Sequence, residues 1–151
     1  MFGHSGCPKV KEEKFNYNIP SNVKHIKKLW VEISAHFRRL HLSDSDIFDI
    51  RLSTEEAIVN AMKYGNKFNE ELSVEVDVVV SNDHVQVSVE DKGEGFDHKN
   101  IPDPTQNNNI GKASGRGLYL IAHLMDKVSY NDKGNKITMI KYIKTREAKQ
   151  R

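Results

Sequence analysis

The segment STEEAIVNAMKYGNK, Ser53 to Lys67, carries a glutamate at 56, an asparagine at 60, a lysine at 63 and a tyrosine at 64. Side chains four residues apart lie on one face of a helix. Glu56 and Asn60 therefore share a face, with Lys63 and Tyr64 directly behind. A carboxylate, an amide and an ammonium on one side make either an ordinary wet face or one wall of a site. A carboxylate so placed can accept a proton, and an amide oxygen can ligate a hard cation.

Two glycine-rich stretches bear on that choice. The first, EDKGEGF, sets Asp91, Gly93 and Gly95 in a D-x-G-x-G pattern directly after an alternating apolar run. An aspartate at a strand end can accept a hydrogen bond from an amine, and glycines let the backbone approach a ligand closely. A calcium loop of the EF-hand type is excluded. It requires Gly at its sixth position and a bidentate Glu at its twelfth, where this chain has Phe96 and Pro102. The second stretch, GKASGRGL, puts Gly115 and Gly117 where a polar loop enters a helix. Free amides at a helix N-terminus bind phosphate oxygens. The G-x-x-x-x-G-K-[ST] loop is absent. A dinucleotide fingerprint is also excluded, because the stretch follows a long polar loop and not a strand.

These residues need elements to hold them. FNYNIP alternates Phe15, Tyr17 and Ile19 with polar residues, which predicts a short strand. Ser21 or Asn22 can cap a helix whose apolar positions are Val23, Ile26, Trp30, Ile33, Phe37 and Leu40. Ser43 opens a second helix, with Asp44 and Asp46 favourable at its positive end. Ile47, Ile50, Thr54, Ile58, Ala61 and Met62 are its core face, and Gly65 is its expected stop. Leu72, Val74, Val76, Val78 and Val80, then Val85, Val87 and Val89, line one face of a hairpin turned at SNDH. Periodicity is lost from Asp97 to Ser114, as in a lid or binding loop. A third helix runs through Leu118, Ile121, Ala122 and Met125, and two strands, Val128–Tyr130 and Ile137–Ile143, flank the turn NDKGNK. This order predicts an α+β fold: a two-layer sandwich with three helices covering one face of a mixed, largely antiparallel sheet. A loose arm over residues 1–13, one domain over 14–144 and a basic tail over 145–151 are expected.

Composition narrows the class. The chain has 151 residues, 23 Lys and Arg against 21 Asp and Glu, and a formal net charge of +2, a balance unlike that of a dedicated nucleic-acid binder. Cys7 is the only cysteine, so neither an internal disulfide nor a thiolate metal site is expected. No segment approaches the ~18 apolar residues of a membrane span, and the first residues lack the apolar core of a signal peptide. A cytoplasmic protein is expected. The seven histidines form no cluster with metal-ligand spacing.

In their order and context the three motifs resemble those of the GHKL (Bergerat-fold) ATPase superfamily. EAIVNAMKYGN is similar to its N box, DKGEGF to its first glycine box and GKASGRGL to its second, and the likeness extends over residues 15–143. SGRGLYLIAHLMDKV is most like the stand-alone bacterial anti-sigma-factor serine/threonine kinases. The resemblance implies that Asn60 ligates Mg²⁺, that Lys63 sits near the phosphates of ATP, and that Asp91 accepts from the adenine amine with Gly93 and Gly95 beside it. It implies that Gly115, Arg116 and Gly117, with Leu118 behind them, meet the phosphates, that Lys112 and Ser114 lie in the lid, and that Thr138 supports adenine through a water. Glu56 becomes the candidate general base, since a hydroxyl nucleophile gains from a carboxylate that takes its proton. One departure is Lys112–Ala113 ahead of Ser114, where some relatives carry an arginine; Arg116 is the nearest here. The implied partners are an anti-anti-sigma protein of the STAS type, a sigma factor and a second copy of the chain, with no direct nucleic-acid contact and no membrane. The rival implications are a nucleotide-gated switch without transfer and a stand-alone histidine-kinase-like ATPase domain. The glutamate at 56 and the lack of a histidine-box helix weigh against the latter.

Overall fold

The computed structural model describes residues 12–93 and 113–143. Five strands, β1 (Glu13–Pro20), β2 (Ser73–Val80), β3 (His84–Glu90), β4 (Lys127–Tyr130) and β5 (Lys136–Tyr142), form one sheet in the order β1-β2-β3-β5-β4. All four pairings are antiparallel. Three α-helices, α1 (Ile26–Arg39), α2 (Asp44–Asn60) and α3 (Ala113–Leu124), pack with the sheet. The expected α+β sandwich is present. The arm over 1–13 falls largely outside the described residues, as do the 145–151 tail and all of the lid before Ala113.

Alternation fixes which sheet face is covered. Val74, Val76, Val78 and Val80 are buried opposite Val85, Val87 and Val89, and Ile137 and Met139 continue the row. Successive strand side chains point to opposite faces, so the polar members Asp77, Ser88 and Thr138 form a register row on the other side. The helices bury Leu29, Trp30, Ile33 and Phe37 from α1 and Ile47, Ile50, Ala57 and Ile58 from α2 in the same core. Apolar burial of this kind stabilises by roughly 25 cal/mol per Å² removed from water.

Three sequence expectations change at helix ends. Val23 is exposed, because it lies in a 3₁₀ turn (Val23–His25) that Asn22 caps by accepting from the Lys24 N–H at 3.0 Å. Ala122 faces solvent, while Ile121 and Met125 carry the core side of α3. Gly65 does not stop α2. The helix widens into a π-helical turn, Ala61–Gly65, closed by Asn66 N–H donating to Ala61 C=O at 2.9 Å. Such π turns cluster at functional sites. Ser43 caps α2 as expected, its hydroxyl accepting from Asp46 N–H at 3.1 Å.

One ionic bracket ties α3 to the layer beneath it. Lys141 donates to Asp49 of α2 at 2.8 Å and to the Leu124 carbonyl, at the C-terminal end of α3, at 2.9 Å. Burial alone would lower the Lys141 pKa. The bond and charge of Asp49, with Asp126 and Asp46 nearby, outweigh it and raise the value. A raised lysine contributes stability that is complete below its unfolded pKa and is lost as pH rises through the folded one. Lys141→Met is therefore expected to lower unfolding stability by about 1–3 kcal/mol at neutral pH. That difference should shrink in strongly alkaline buffer. Urea titrations of both proteins across that range measure it.

Candidate active site

The C-terminal half of α2, the end of β3 and the start of α3 converge on one cavity of about 200 Å³. Its apolar wall comes from Ala57, Ala61, Val89, Leu118 and Ile137, and its polar groups include Asn60, Asp91, Tyr64 and Tyr130. That volume is below the ~300–1,000 Å³ typical of whole-ligand clefts. The described walls thus suit one heterocycle, with the remainder of a larger ligand outside them.

Asp91 lines the cavity directly after β3. It is buried, and its Oδ1 accepts the Gly93 N–H at 2.7 Å. Burial is the largest influence on its carboxyl and holds the pKa above the ordinary value. The Gly93 bond opposes this, Glu90 adds to it and Lys133 offsets part of it. A buried acceptor kept partly desolvated is suited to a donor arriving from a ligand. Gly65 and Gly93 are both required here. A Cβ on Gly65 would collide with the Asp91 carboxylate, and one on Gly93 with the Gly65 backbone. The π turn and the first glycine box are therefore in backbone contact.

Gly117 packs against the α2 face that carries Asn60, a lining residue of the cavity. A Cβ at this position would lie 3.0 Å from both Asn60 Nδ2 and Glu56 Oε2. Glycine is what lets α3 approach the α2 face that carries both groups. Glu56 and Asn60 do form one face, and that face is packed against the second glycine box. Asn60 Nδ2 is buried and has no hydrogen-bond partner among the described residues. A side-chain amide can present either its oxygen or its nitrogen, and turning the oxygen outward supplies a hard ligand for Mg²⁺. No group of three or more His, Cys, Asp or Glu among the described residues is arranged to hold a metal. A cation at Asn60 would take its other ligands from phosphate oxygens and water, as Mg²⁺ in nucleotide sites does. The donor set thus fits a Mg²⁺–nucleotide complex.

Gly117→Val is expected to separate α3 from α2. Overpacking costs about 1–3 kcal/mol, and loss of the α2–α3 face should weaken Mg·ATP binding by about 10–100-fold. Titration calorimetry gives the affinity, and circular dichroism should show the fold retained.

The other sequence candidates divide. Asn60, Asp91 and Leu118 line the cavity, while Gly93 and Gly117 pack against the lining residues Gly65 and Asn60. Lys63 is exposed, with its ammonium 5.2 Å from the centre of the Tyr64 ring, and it is not among the lining residues. Arg116 is exposed in the first turns of α3. Ser114 and Gly115 belong to α3 by their backbone, whereas Gly95 and Lys112 fall outside the described residues. Thr138 is not at the cavity. Its hydroxyl pairs with Ser88 at 3.2 Å on the opposite sheet face, because Ile137 and Met139 take the core side. The β5 residues that do reach the cavity are Lys136 and Ile137, with Asn135 just before them.

Asn135 and Tyr130 were not singled out from the sequence. Asn135 Nδ2 donates to the Asp91 carbonyl at 2.9 Å, and the Asp91 N–H donates to the Asn135 carbonyl at 3.0 Å. Burial pushes the Tyr130 phenol above its usual pKa, so it remains a protonated hydroxyl. Tyr130 carried a signal, since it ends the alternating run at Val128. Asn135 carried none beyond a turn composition.

A five-stranded antiparallel sheet with helices on one face, and a cavity between an Asn-bearing helix and a strand-end aspartate, define a nucleotide-binding ATPase-type domain. The chain belongs to the family described as histidine kinase-like ATPase domain, whose model matches residues 19–141. Within it the chain is similar to the serine-protein kinase RsbW of Staphylococcus epidermidis, 30% identical over 146 residues that cover 91% of this chain and 92% of that one. The serine-protein kinase RsbW of Staphylococcus aureus strain MSSA476 is 28% identical over 147 residues, covering 92% of each chain. The solved structure of the RsbU and RsbW domains of a Mycobacterium tuberculosis protein aligns with a TM-score of 0.61 at 14% identity. That match covers 88% of this chain and 32% of the other, and it supports the fold alone. Among the described residues, no helix is long and apolar enough to cross a membrane.

Proposed function

We propose that this chain is an ATP-dependent protein serine/threonine kinase of the anti-sigma-factor type. The reading is carried by one observation: Glu56 and Asn60 sit side by side against Gly117, and Asn60 shares the lining of one cavity with Asp91. The similarity to serine-protein kinases over nearly the whole chain supports it. Asp91 binds the adenine amine, and the apolar wall of Ala57, Ala61, Val89 and Ile137 encloses the ring. The amides of Gly115 to Gly117 meet the phosphates. The Asn60 oxygen would hold Mg²⁺, which would supply neutralisation of phosphate charge when the nucleotide is bound.

Glu56 accepts the proton of a partner's serine or threonine hydroxyl as its oxygen bonds to the γ-phosphorus. The bond from that phosphorus to the β–γ bridging oxygen breaks, and ADP leaves with the electron pair. Phosphate ends on the partner's hydroxyl oxygen and the proton on Glu56. The partner is an anti-anti-sigma protein of the STAS type, and a sigma factor is held in the alternative complex. The active form is a cytoplasmic homodimer.

The test is capture of partners from the source organism by the purified full chain in Mg·ATP and in Mg·ADP. A sigma factor retained in one nucleotide state and a STAS protein in the other supports the proposal. Retention of neither in both states contradicts it.

A further inference from the structure

Asp91 lies beyond the last ladder residue of β3, so strand pairing no longer holds its backbone. Yet the N–H groups of Asp91, Lys92 and Gly93, and the carbonyl of Asp91, are all bonded. Two asparagines from distant parts of the chain supply most of these bonds. On one side, Asn135 pairs with both backbone groups of Asp91. Asn135 is itself fixed by Asn131, whose Nδ2 donates to Asn135 Oδ1 at 2.7 Å while its Oδ1 accepts from the N–H groups of Gly134, Asn135 and Lys136.

On the other side stands Asn66, at the end of the π turn and only 2% exposed. Its Oδ1 accepts the Lys92 N–H at 2.7 Å. Its Nδ2 donates to Ser21 Oγ at 2.9 Å and to the Ser73 carbonyl at 3.1 Å, and Ser21 Oγ in turn donates to the Leu72 carbonyl at 2.6 Å. Asn66 therefore links the β1 and β2 ends to the peptide that follows Asp91. An amide is the side chain able to do this, since it needs an acceptor on one side and a donor on the other.

We infer that Asn66 is a positioning residue for base recognition, holding the Asp91–Gly93 backbone so that the Asp91 carboxylate is aimed into the cavity before ligand arrives. The inference rests on the proposal that Asp91 receives the adenine amine. A residue that supports the orientation of a ligand-binding group affects affinity through that group. Its signature is selective. Loss of Asn66 should harm a base that carries the exocyclic amine and spare one that lacks it. A residue holding only the fold would harm both alike.

The experiment compares ATP with purine riboside triphosphate, which lacks the amine, each with Mg²⁺ and the full chain. Wild type, Asn66→Ala and Ser21→Ala are titrated, the last removing only the far support of Asn66 in case the first fails to fold. Asn66→Ala is expected to weaken ATP about tenfold or more, and the amine-free analogue by about twofold at most, erasing the preference. Ser21→Ala should move the same ratio in the same direction by a smaller factor. Combined with Asp91→Asn, Asn66→Ala should add little further loss. Equal weakening of both nucleotides, or an unchanged ratio in both variants, overturns the inference. A wild-type chain that binds both nucleotides equally well instead overturns the adenine reading of Asp91, and the inference with it.

Discussion

Glu56→Gln is expected to slow phosphoryl transfer by about 10²–10⁴-fold, the usual contribution of a positioned general base. Its Mg·ATP affinity should remain within about twofold of wild type. The substitution keeps the size of the side chain and removes only its ability to take a proton. Glu56 lies beside Asn60 against Gly117 and is not a lining residue of the cavity that would receive the base. Binding and chemistry should thus separate. A single-turnover assay with the captured partner measures the rate, and calorimetry the affinity. Loss of affinity alongside the rate would instead mark Glu56 as part of the nucleotide cradle.

Asp91→Asn should do the reverse and weaken binding while strengthening the empty fold. The Gly93 N–H keeps the Asn oxygen where Asp91 Oδ1 was. The amide nitrogen is then turned to the place where the adenine amine would sit, and two donors face each other. A lost bond to a charged acceptor is worth about 1.5–3 kcal/mol, so affinity should fall by about 10–150-fold.

Stability moves in the opposite sense because burial raises the Asp91 pKa. For a carboxyl whose folded pKa lies above its unfolded value, the native state holds more protons between the two. Stability then falls as pH rises through that window, and the cost is complete above the folded value. The neutral amide has no such cost. Asp91→Asn should raise the melting temperature of the nucleotide-free protein at neutral pH. The gain should diminish as pH falls toward the ordinary carboxylate range. Thermal unfolding of both proteins, with and without nucleotide, reads the two effects together.

Much of this site was legible because it depends on residue types that geometry dictates. Gly93 is required by the Gly65 backbone and Gly117 suits the close approach of the Glu56–Asn60 face, and the spacing of each from a strand end or a helix start is visible in sequence. Valine alternation similarly fixed the covered sheet face. Thr138 shows a legible feature misread. Ile137 and Met139 are the apolar members of β5, so period two alone sends Thr138 to the other side.

Asn66 and Asn135 show what was not legible. Asparagine beside glycine and lysine reads as turn chemistry, and nothing local reveals that both reach the backbone around Asp91. Their roles depend on partners 26 and 44 residues away. The π turn is hidden for a related reason. Gly65 looks like a helix stop, and only the close approach of Asp91 explains it.

Phosphoryl transfer to a hydroxyl leaves a distinctive product, so the decisive measurement is the chemistry of the phosphate found on a captured partner after incubation with wild-type protein and Mg·ATP. Acid-stable phosphate on a serine or threonine, absent when Glu56→Gln replaces wild type, is the predicted result. Acid-labile phosphate on a histidine, or a partner bound with no phosphate under any condition, would contradict it.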